Sequence, residues 1–170
     1  MKSLFFSLLF LLSFNIFAQE TPEKEQKVTT YYLIRHAEKD RTDKSNKNPD
    51  LTEAGHKRAR NWATYFKDIE FDAVYSTDYN RTKQTVLPTA ESNNLDIEIY
   101  NPFTIKIDSF LMKTKGKTVL IVGHSNTIPK FVNQLIGEEK YKDIADDNNA
   151  NLYIVKIKEG KAISELKVIE

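Results

Sequence analysis

Val119-Leu120-Ile121-Val122 is an unbroken apolar run, set between Lys117-Thr118 and Gly123-His124. A run of that kind, without polar alternation, predicts a strand buried on both faces, and such a strand requires a sheet with a covering layer on each side. Tyr31-Tyr32-Leu33-Ile34, inside a β-rich stretch that begins at Val28, predicts a second buried strand, and Phe71–Tyr75 a short third one. Helical patterns lie between them. Thr52 can cap a helix to about Lys67, with Ala59, Trp62, Ala63 and Phe66 at helical spacing. Thr77 or Asp78 would open another helix to about Ser92, interrupted or ended near Pro88. Asp96–Tyr100 alternates like a short strand and Thr104–Lys115 like a helix. After the apolar run, Asn126 can cap a helix with Pro129 in its first turn and Gly137 as its stop. Leu152–Ile157 and Ile163–Ile169 read as a hairpin across Glu159-Gly160-Lys161. Alternating strands and helices imply an α/β fold with a mostly parallel sheet covered on both faces. Tyr31, Tyr32 and Trp62 are expected in its core.

The N-terminus calls for separate treatment. Lys2, the apolar stretch Leu4–Leu12 and a mixed stretch ending in Ala18 have the layout of a secretory signal peptide, with cleavage expected after residue 18. As a membrane span the segment is short, at ~14 to 17 residues. Residues 19–27 are charged and aperiodic and read as a flexible tether. Residues 28–170 are left as one domain, expected to be exported, periplasmic or secreted, with no membrane span after cleavage. The balance of 25 Lys+Arg against 24 Asp+Glu argues against nucleic acid as a partner. The absence of cysteine excludes disulfides, thiolate metal sites, a cysteine nucleophile and a lipidated N-terminal cysteine.

In parallel sheets ligands sit beyond the carboxyl ends of the strands. The first strand ends in Arg35-His36 and the apolar run in Gly123-His124, so two of the three histidines stand at strand ends. The strand Phe71–Tyr75 leads to Arg81, one turn into a helix. If these strands are neighbours, two arginines and two histidines share one crevice. Guanidinium forks match phosphate oxygens and keep their charge. A histidine among them is driven towards its neutral form, whose lone pair can attack phosphorus and give a phosphohistidine. The second histidine can donate to a phosphoryl oxygen as charge develops there, and the following helix would aim backbone N–H groups at the same anion. No compact metal-ligand spacing such as His-x-x-x-His is present, so no metal or cofactor is expected.

Arg35-His36-Ala37-Glu38-Lys39 resembles the Arg-His-Gly or Arg-His-Ala signature of the histidine phosphatase (phosphoglycerate mutase-like) superfamily. Leu51-Thr52-Glu53-Ala54-Gly55 is similar to its Leu-Thr-x-x-Gly helix start. The segment from Ser76 through Arg81 to Thr85 resembles its Ser-x-x-x-x-Arg-x-x-x-Thr motif, and Val122-Gly123-His124-Ser125-Asn126 its second histidine motif. The resemblance implies a three-layer α/β/α sandwich with a mixed central sheet. It implies His36 as the phosphorylated nucleophile, with Arg35, Arg81 and His124 binding the transferred group. Thr42 stands where many members have an asparagine and could donate a hydroxyl to substrate. A general acid usually comes from a loop between the second arginine and the second histidine, but Tyr100-Asn101-Pro102-Phe103 carries no carboxylate. Glu38 and Asp108 are the candidate proton donors. Short members that act on phosphohistidine share this lack, so the expected partner is a small phosphorylated substrate or a phosphohistidine-bearing protein. The stretch between Arg81 and His124 is too short for the cap a mutase needs. Glu38-Lys39 and His124-Ser125 depart from the phytase and acid-phosphatase pattern.

Other features receive plainer readings. His56 is expected to face solvent. Lys39, Arg41 and Lys44 could steer an anion, but the loop reads first as a solvated surface. Asp146-Asp147-Asn148-Asn149 lacks the glycine and closing glutamate of a calcium loop and reads as a turn. Gly123-His124-Ser125-Asn126-Thr127 half matches a serine-hydrolase elbow, yet no histidine follows Ser125. The expected activity is metal-independent hydrolysis of phosphomonoesters or phosphoramidates. The alternative is a phosphate-ligand binding protein that uses the same pocket without turnover.

Overall fold

A computed structural model describes residues 27–170. The leader expected over residues 1–18, and the tether apart from Lys27, lie outside the described residues. The elements are β1 (Thr29–Arg35), α1 (Glu53–Tyr65), β2 (Ala73–Ser76), α2 (Asn80–Ser92), β3 (Ile97–Ile99), α3 (Ile107–Lys113), β4 (Thr118–Gly123), α4 (Thr127–Ile136), β5 (Asn151–Lys158) and β6 (Lys161–Val168). They build a six-stranded sheet in the order β3-β2-β4-β1-β5-β6. The pairings β2–β3, β2–β4 and β1–β4 are parallel. β5 and β6 join antiparallel, as the expected hairpin. Glu159 and Gly160 turn that hairpin with φ of 52° and 75°, the left-handed pair that a tight two-residue connection needs.

The side-chain period of two divides the central strands between two cores. Tyr31, Leu33, Val119 and Ile121 face Phe110 of α3 and Phe131, Val132 and Leu135 of α4. Ile34, Leu120 and Val122 face Trp62 and Phe66, at the end of α1, and Val86 and Ala90 of α2. The result is the expected three-layer α/β/α sandwich with a mostly parallel mixed sheet. Trp62 stacks on Phe66 at 5.6 Å between ring centroids, and Phe71 meets Phe66 edge-on at 5.4 Å. Tyr32 of β1 meets Phe66 edge-on at 5.7 Å, which fixes the end of α1 to the sheet.

Four local expectations need correction. α2 begins at Asn80 rather than at Thr77 or Asp78, because the chain is still tied to the sheet: the Thr77 N–H donates to the Val122 carbonyl at 3.3 Å. Pro88 neither ends nor interrupts α2. Thr85 and Val86 before it and Thr89 and Ala90 after it are buried, and that packing carries the helix through the missing N–H. α3 is shorter than Thr104–Lys115, because the Asn101 carbonyl takes the N–H groups of Thr104 and Ile105 into a preceding turn. The Asn126 side chain caps nothing in α4. Instead the Thr127 hydroxyl accepts from the His124 N–H at 3.0 Å.

Thr52 caps α1 as expected, accepting from the Gly55 N–H at 3.1 Å. Its own N–H donates to the Glu38 carbonyl at 2.9 Å, so the start of α1 is pinned to the chain just after β1. A Cβ on Gly55 would stand 2.2 Å from that carbonyl oxygen. Backbone on both sides cannot yield cheaply, so Gly55→Ala is expected to destabilise the domain by roughly 1–3 kcal/mol. Chemical denaturation reads this directly, and a midpoint equal to wild type would disprove the close approach.

Candidate active site

β1 and β4 run parallel and in register, with Arg35 opposite Gly123. The His36 N–H donates to the Gly123 carbonyl at 2.9 Å, so the two histidines leave the sheet side by side, with ring centroids 5.5 Å apart. β2 lies on the other side of β4 and delivers Arg81 in the first turn of α2. Arg35, His36, Arg81 and His124 all line one cleft of about 750 Å³. Gly123 keeps the strands' exit open, since a Cβ there would come within 2.8 Å of the Tyr100 hydroxyl.

His36 is buried. Its Nδ1 lies 2.7 Å from the Ala37 carbonyl, which can only accept, so Nδ1 carries the proton and Nε2 keeps the lone pair. Burial pushes its pKa from the usual 6.5 down to about 3, assisted by His124, Arg81 and Arg35. The backbone around it is clamped from both sides. The His36 carbonyl accepts from Asn149 Nδ2 at 2.7 Å. The Ala37 N–H donates to the Thr85 hydroxyl at 2.8 Å, and that hydroxyl donates to the Arg81 carbonyl at 2.6 Å.

His124 sits in a chain of hydrogen bonds with a single direction. Arg81 Nη2 can only donate, so His124 Nδ1 accepts from it at 3.4 Å, and Nε2–H donates to the Thr77 hydroxyl at 3.0 Å. Thr77 donates to the Thr82 hydroxyl at 3.1 Å, which ends on the Thr77 and Tyr79 carbonyls, each at 2.8 Å. Burial, followed by Arg81, Lys39 and Arg35, lowers the His124 pKa to about 4. Tyr79 underlies this group: the Arg81 guanidinium carbon stands 4.2 Å over its ring, and His124 meets it edge-on at 5.0 Å.

Arg35 is held from the segment before β5. Its Nη1 donates to the carbonyls of Ala145, Asp146 and Asn148 at 2.8, 3.1 and 2.9 Å, and Nη2 to Asp146 Oδ1 at 3.1 Å. Asp146 also pairs with Arg41 at 2.9 Å, and the two arginines, Arg41 foremost, hold its carboxyl below the usual range. Arg35 Nε and Arg81 Nε and Nη1 are buried, with no hydrogen-bond partner among the described residues. Buried cationic donors without partners are costly, and they mark the place where an anion would satisfy them. Lys39 adds a cation whose pKa is lowered by burial and then by Arg81 and Arg41.

The other candidates lie elsewhere. Glu38 does not line the cleft: its carboxylate meets Arg58 Nε at 2.7 Å. Asp108 is exposed on α3 and Thr42 is exposed in the loop after β1, and neither lines the cleft. Among the described residues the only carboxylates that do are Asp78 and Asp146, both paired with cations, Asp78 with Lys83 at 2.7 Å. Arg41 and Lys39 are more than a solvated surface, since one binds Asp146 and the other lines the cleft, whereas Lys44 and His56 are exposed. The turn read at Asp146–Asn149 is present, but it also fastens Arg35 and His36, and sequence reasoning missed that. It missed Thr77 and Tyr79 too. The Asp/Asn density of 146–149 signalled capping capacity without naming a target. Among the described residues no three His, Cys, Asp or Glu side chains form a group that could hold a metal ion.

The model of the histidine phosphatase superfamily (branch 1) matches residues 31–104, which include Arg35, His36 and Arg81. Among solved structures, the protein histidine phosphatase SixA complexed with tungstate aligns with a TM-score of 0.66 at 16% identity, over 82% of this chain and 96% of that one. Phosphoglycerate mutase from Bacillus anthracis strain Sterne aligns with a TM-score of 0.65 at 17% identity, over 83% and 93% of the two chains. A mycobacterial glucosyl-3-phosphoglycerate phosphatase aligns with a TM-score of 0.66 at 13% identity, over 84% and 99%. At these identities the likeness shows a shared fold. No curated protein matches the sequence.

The lowered histidine pKa values make a prediction about stability. Between about pH 6.5 and pH 4 the unfolded chain takes up protons that folded His36 and His124 refuse. Stability therefore rises with pH across that window and falls on acidification. The loss should reach roughly 1 kcal/mol per pH unit for each histidine. Guanidinium unfolding between pH 4.5 and 7.5 tests this: wild type should lose stability steeply, and His36→Gln should show a shallower slope. Equal slopes would mean that His36 titrates normally.

Proposed function

The chain belongs to the histidine phosphatase superfamily, and from that membership we propose that it is an exported, metal-independent phosphatase acting through a phosphohistidine on His36. Its substrate would be a phosphomonoester or phosphoramidate, small or carried on a protein. The observation that carries this reading is the pairing of a fixed tautomer with unsatisfied cations. The Nδ1–H of His36 is committed to the Ala37 carbonyl, and three buried guanidinium nitrogens of the cleft-lining Arg35 and Arg81 lack partners among the described residues.

In the first step the Nε2 lone pair of neutral His36 attacks phosphorus while the P–O or P–N bond to the leaving group breaks. The departing group keeps the electron pair and takes up a proton. The phosphorylated ring keeps Nδ1–H on the Ala37 carbonyl, which supports its positive charge. Arg35 and Arg81 hold the phosphoryl oxygens. Burial and the neighbouring cations keep His124 neutral, and a bound phosphoryl dianion offsets the repulsion, so His124 can take a proton on Nδ1, in place of its hydrogen bond from Arg81, and donate it to a phosphoryl oxygen. In the second step water attacks phosphorus and loses a proton, the N–P bond breaks, its electron pair returns to Nε2, and orthophosphate leaves. Hydrolysis is favoured over mutase transfer because the rest of α2, β3, α3 and β4 use up the chain between Arg81 and His124.

A second reading has one observation in its favour. Asp78 and Asp146 are ion-paired and Glu38 and Asp108 lie outside the cleft, so among the described residues no free carboxyl group is placed to protonate a leaving group. A receptor for phosphate ligands would need none. An activated aryl phosphate separates the two, because its leaving group departs without an acid. EDTA-resistant turnover that vanishes in His36→Ala is expected. Arg81→Ala should lose a factor of ~30 to 1,000, or roughly 2–4 kcal/mol of transition-state stabilisation. Folded protein that binds phosphate but turns nothing over would establish the receptor instead. Export rests on Lys2 and the apolar stretch Leu4–Leu12. N-terminal sequencing of the protein recovered outside the cytoplasm should begin at Gln19, and recovery only inside the cell with Met1 or Lys2 first would refute it.

A further inference from the structure

The cleft has two unlike halves. One is the cationic floor at the ends of β1 and β4. The other is a wall made by the end of β3 and the turn after it, where Ile99, Tyr100, Pro102 and Phe103 line the cleft, with Tyr79 from the α2 start. A volume of about 750 Å³ belongs with pockets that enclose a whole small molecule, so a phosphoryl group occupies only a part of it. The group attached to the phosphoryl has the 99–103 wall and the polar Asp78, Ser125, Asn126 and Thr127 left to lie against.

The wall is apolar and held in place. Phe103 is 79% exposed and Ile99 52% exposed, unusual company for an anion site. The Phe103 N–H donates to Asn101 Oδ1 at 2.9 Å, and the Asn101 carbonyl accepts from Thr104 and Ile105 at 3.3 and 3.0 Å. Tyr100 anchors the near end, its N–H donating to the Ser76 carbonyl at 3.0 Å and its hydroxyl to the Val122 carbonyl at 3.4 Å. Thus the backbone presents the Phe103 ring outward on a tied turn. Residues 99–103 carry no charge and offer two polar side chains, Tyr100, whose hydroxyl is committed to the Val122 carbonyl, and Asn101, whose oxygen is already engaged. A polyhydroxylated or cationic leaving group would lose water against such a surface without replacement. A planar aromatic ring would gain contact with Phe103 and Tyr79.

We propose that the 99–103 wall, with Phe103 at its tip, selects phosphoryl compounds whose leaving group is an aromatic ring. The inference rests on the reading of the cationic floor as the phosphoryl site and adds to it the chemistry of the remainder of the substrate. Phe103 touches the leaving group only and takes no part in the attack on phosphorus.

Binding of stable phosphonates tests the wall separately from turnover. By calorimetry the protein should hold phenylphosphonate about tenfold more tightly than methylphosphonate. In Phe103→Ala that ratio should fall about three- to tenfold, with the loss on the phenyl compound. Phe103 is solvent-exposed, so the variant keeps its core. A second comparison uses 2-naphthyl and phenyl phosphate, whose leaving groups are similarly acidic. Wild type should favour the larger ring in kcat/KM, and Phe103→Ala should erase the preference. A phenyl-to-methyl ratio unchanged by Phe103→Ala overturns the proposal even if the protein is an active phosphatase. A ratio that responds to Phe103→Ala without any turnover supports the wall and refutes the phosphatase reading. Failure to bind either phosphonate overturns both.

Discussion

The parallel pairing of β1 with β4 is the contact from which the site follows. Arg35 lies opposite Gly123, and the His36 N–H reaches the Gly123 carbonyl, so the chain leaves both strands at one level. A register shift of one residue would turn each side chain of β1, Arg35 included, to the other face of the sheet. The register is fixed by the two cores, because Ile34 and Val122 face α1 and α2 while Leu33 and Ile121 face α3 and α4. Hydrophobic packing several residues away thereby sets the 5.5 Å spacing of the two histidine rings.

Crowding of positive charge follows from that convergence, and two devices make it tolerable. The histidines give up their charge, with pKa values of about 3 and about 4. Arg35, which cannot do so, is surrounded by the carbonyls of Ala145, Asp146 and Asn148 and by the Asp146 carboxylate. The arginine is thus oriented by oxygens on its Nη side while its Nε stays unpartnered. Arg81 has no carboxylate partner among the described residues and rests on the Tyr79 ring instead. An arriving phosphoryl anion would meet donors already desolvated and aimed, which is the arrangement that favours electrostatic stabilisation of a transferring group.

Much of this was legible in the sequence for a definite reason. Buried strands announce themselves as unbroken apolar runs, and strand ends follow from where those runs stop, so Arg35, His36 and His124 could be placed before any contact was known. Arg81 followed from the helix after β2. Element boundaries failed where side chains or sheet pairing compete with helix propensity: Thr77 still paired with β4, Asn101 closing a turn before α3, and Pro88 carried by its buried neighbours. Asp146, Asn149 and Thr77 were missed because each acts on a partner distant in sequence. Asn149 reaches His36 across 113 positions, and no local pattern encodes that meeting.

The antiparallel β5 explains why those distant partners fall where they do. In a wholly parallel sheet, the loop that precedes a strand lies at the edge opposite the ligand site. β5 runs the other way, pairing Leu152 with Ile34, so its amino end, with residues 145–150 leading into it, comes to the carboxyl edge of β1. That reversal puts Asp146 beside Arg35 and Asn149 beside His36, and it supplies backbone carbonyls to an arginine that parallel neighbours would have left bare. The mixed character of the sheet therefore has a chemical consequence. The parallel strands deliver the cations and His36, the proposed nucleophile; the one antiparallel neighbour of β1 brings the oxygens that hold Arg35 and the amide that holds the His36 carbonyl, and the β3–α3 turn is left free to shape the remainder of the cleft.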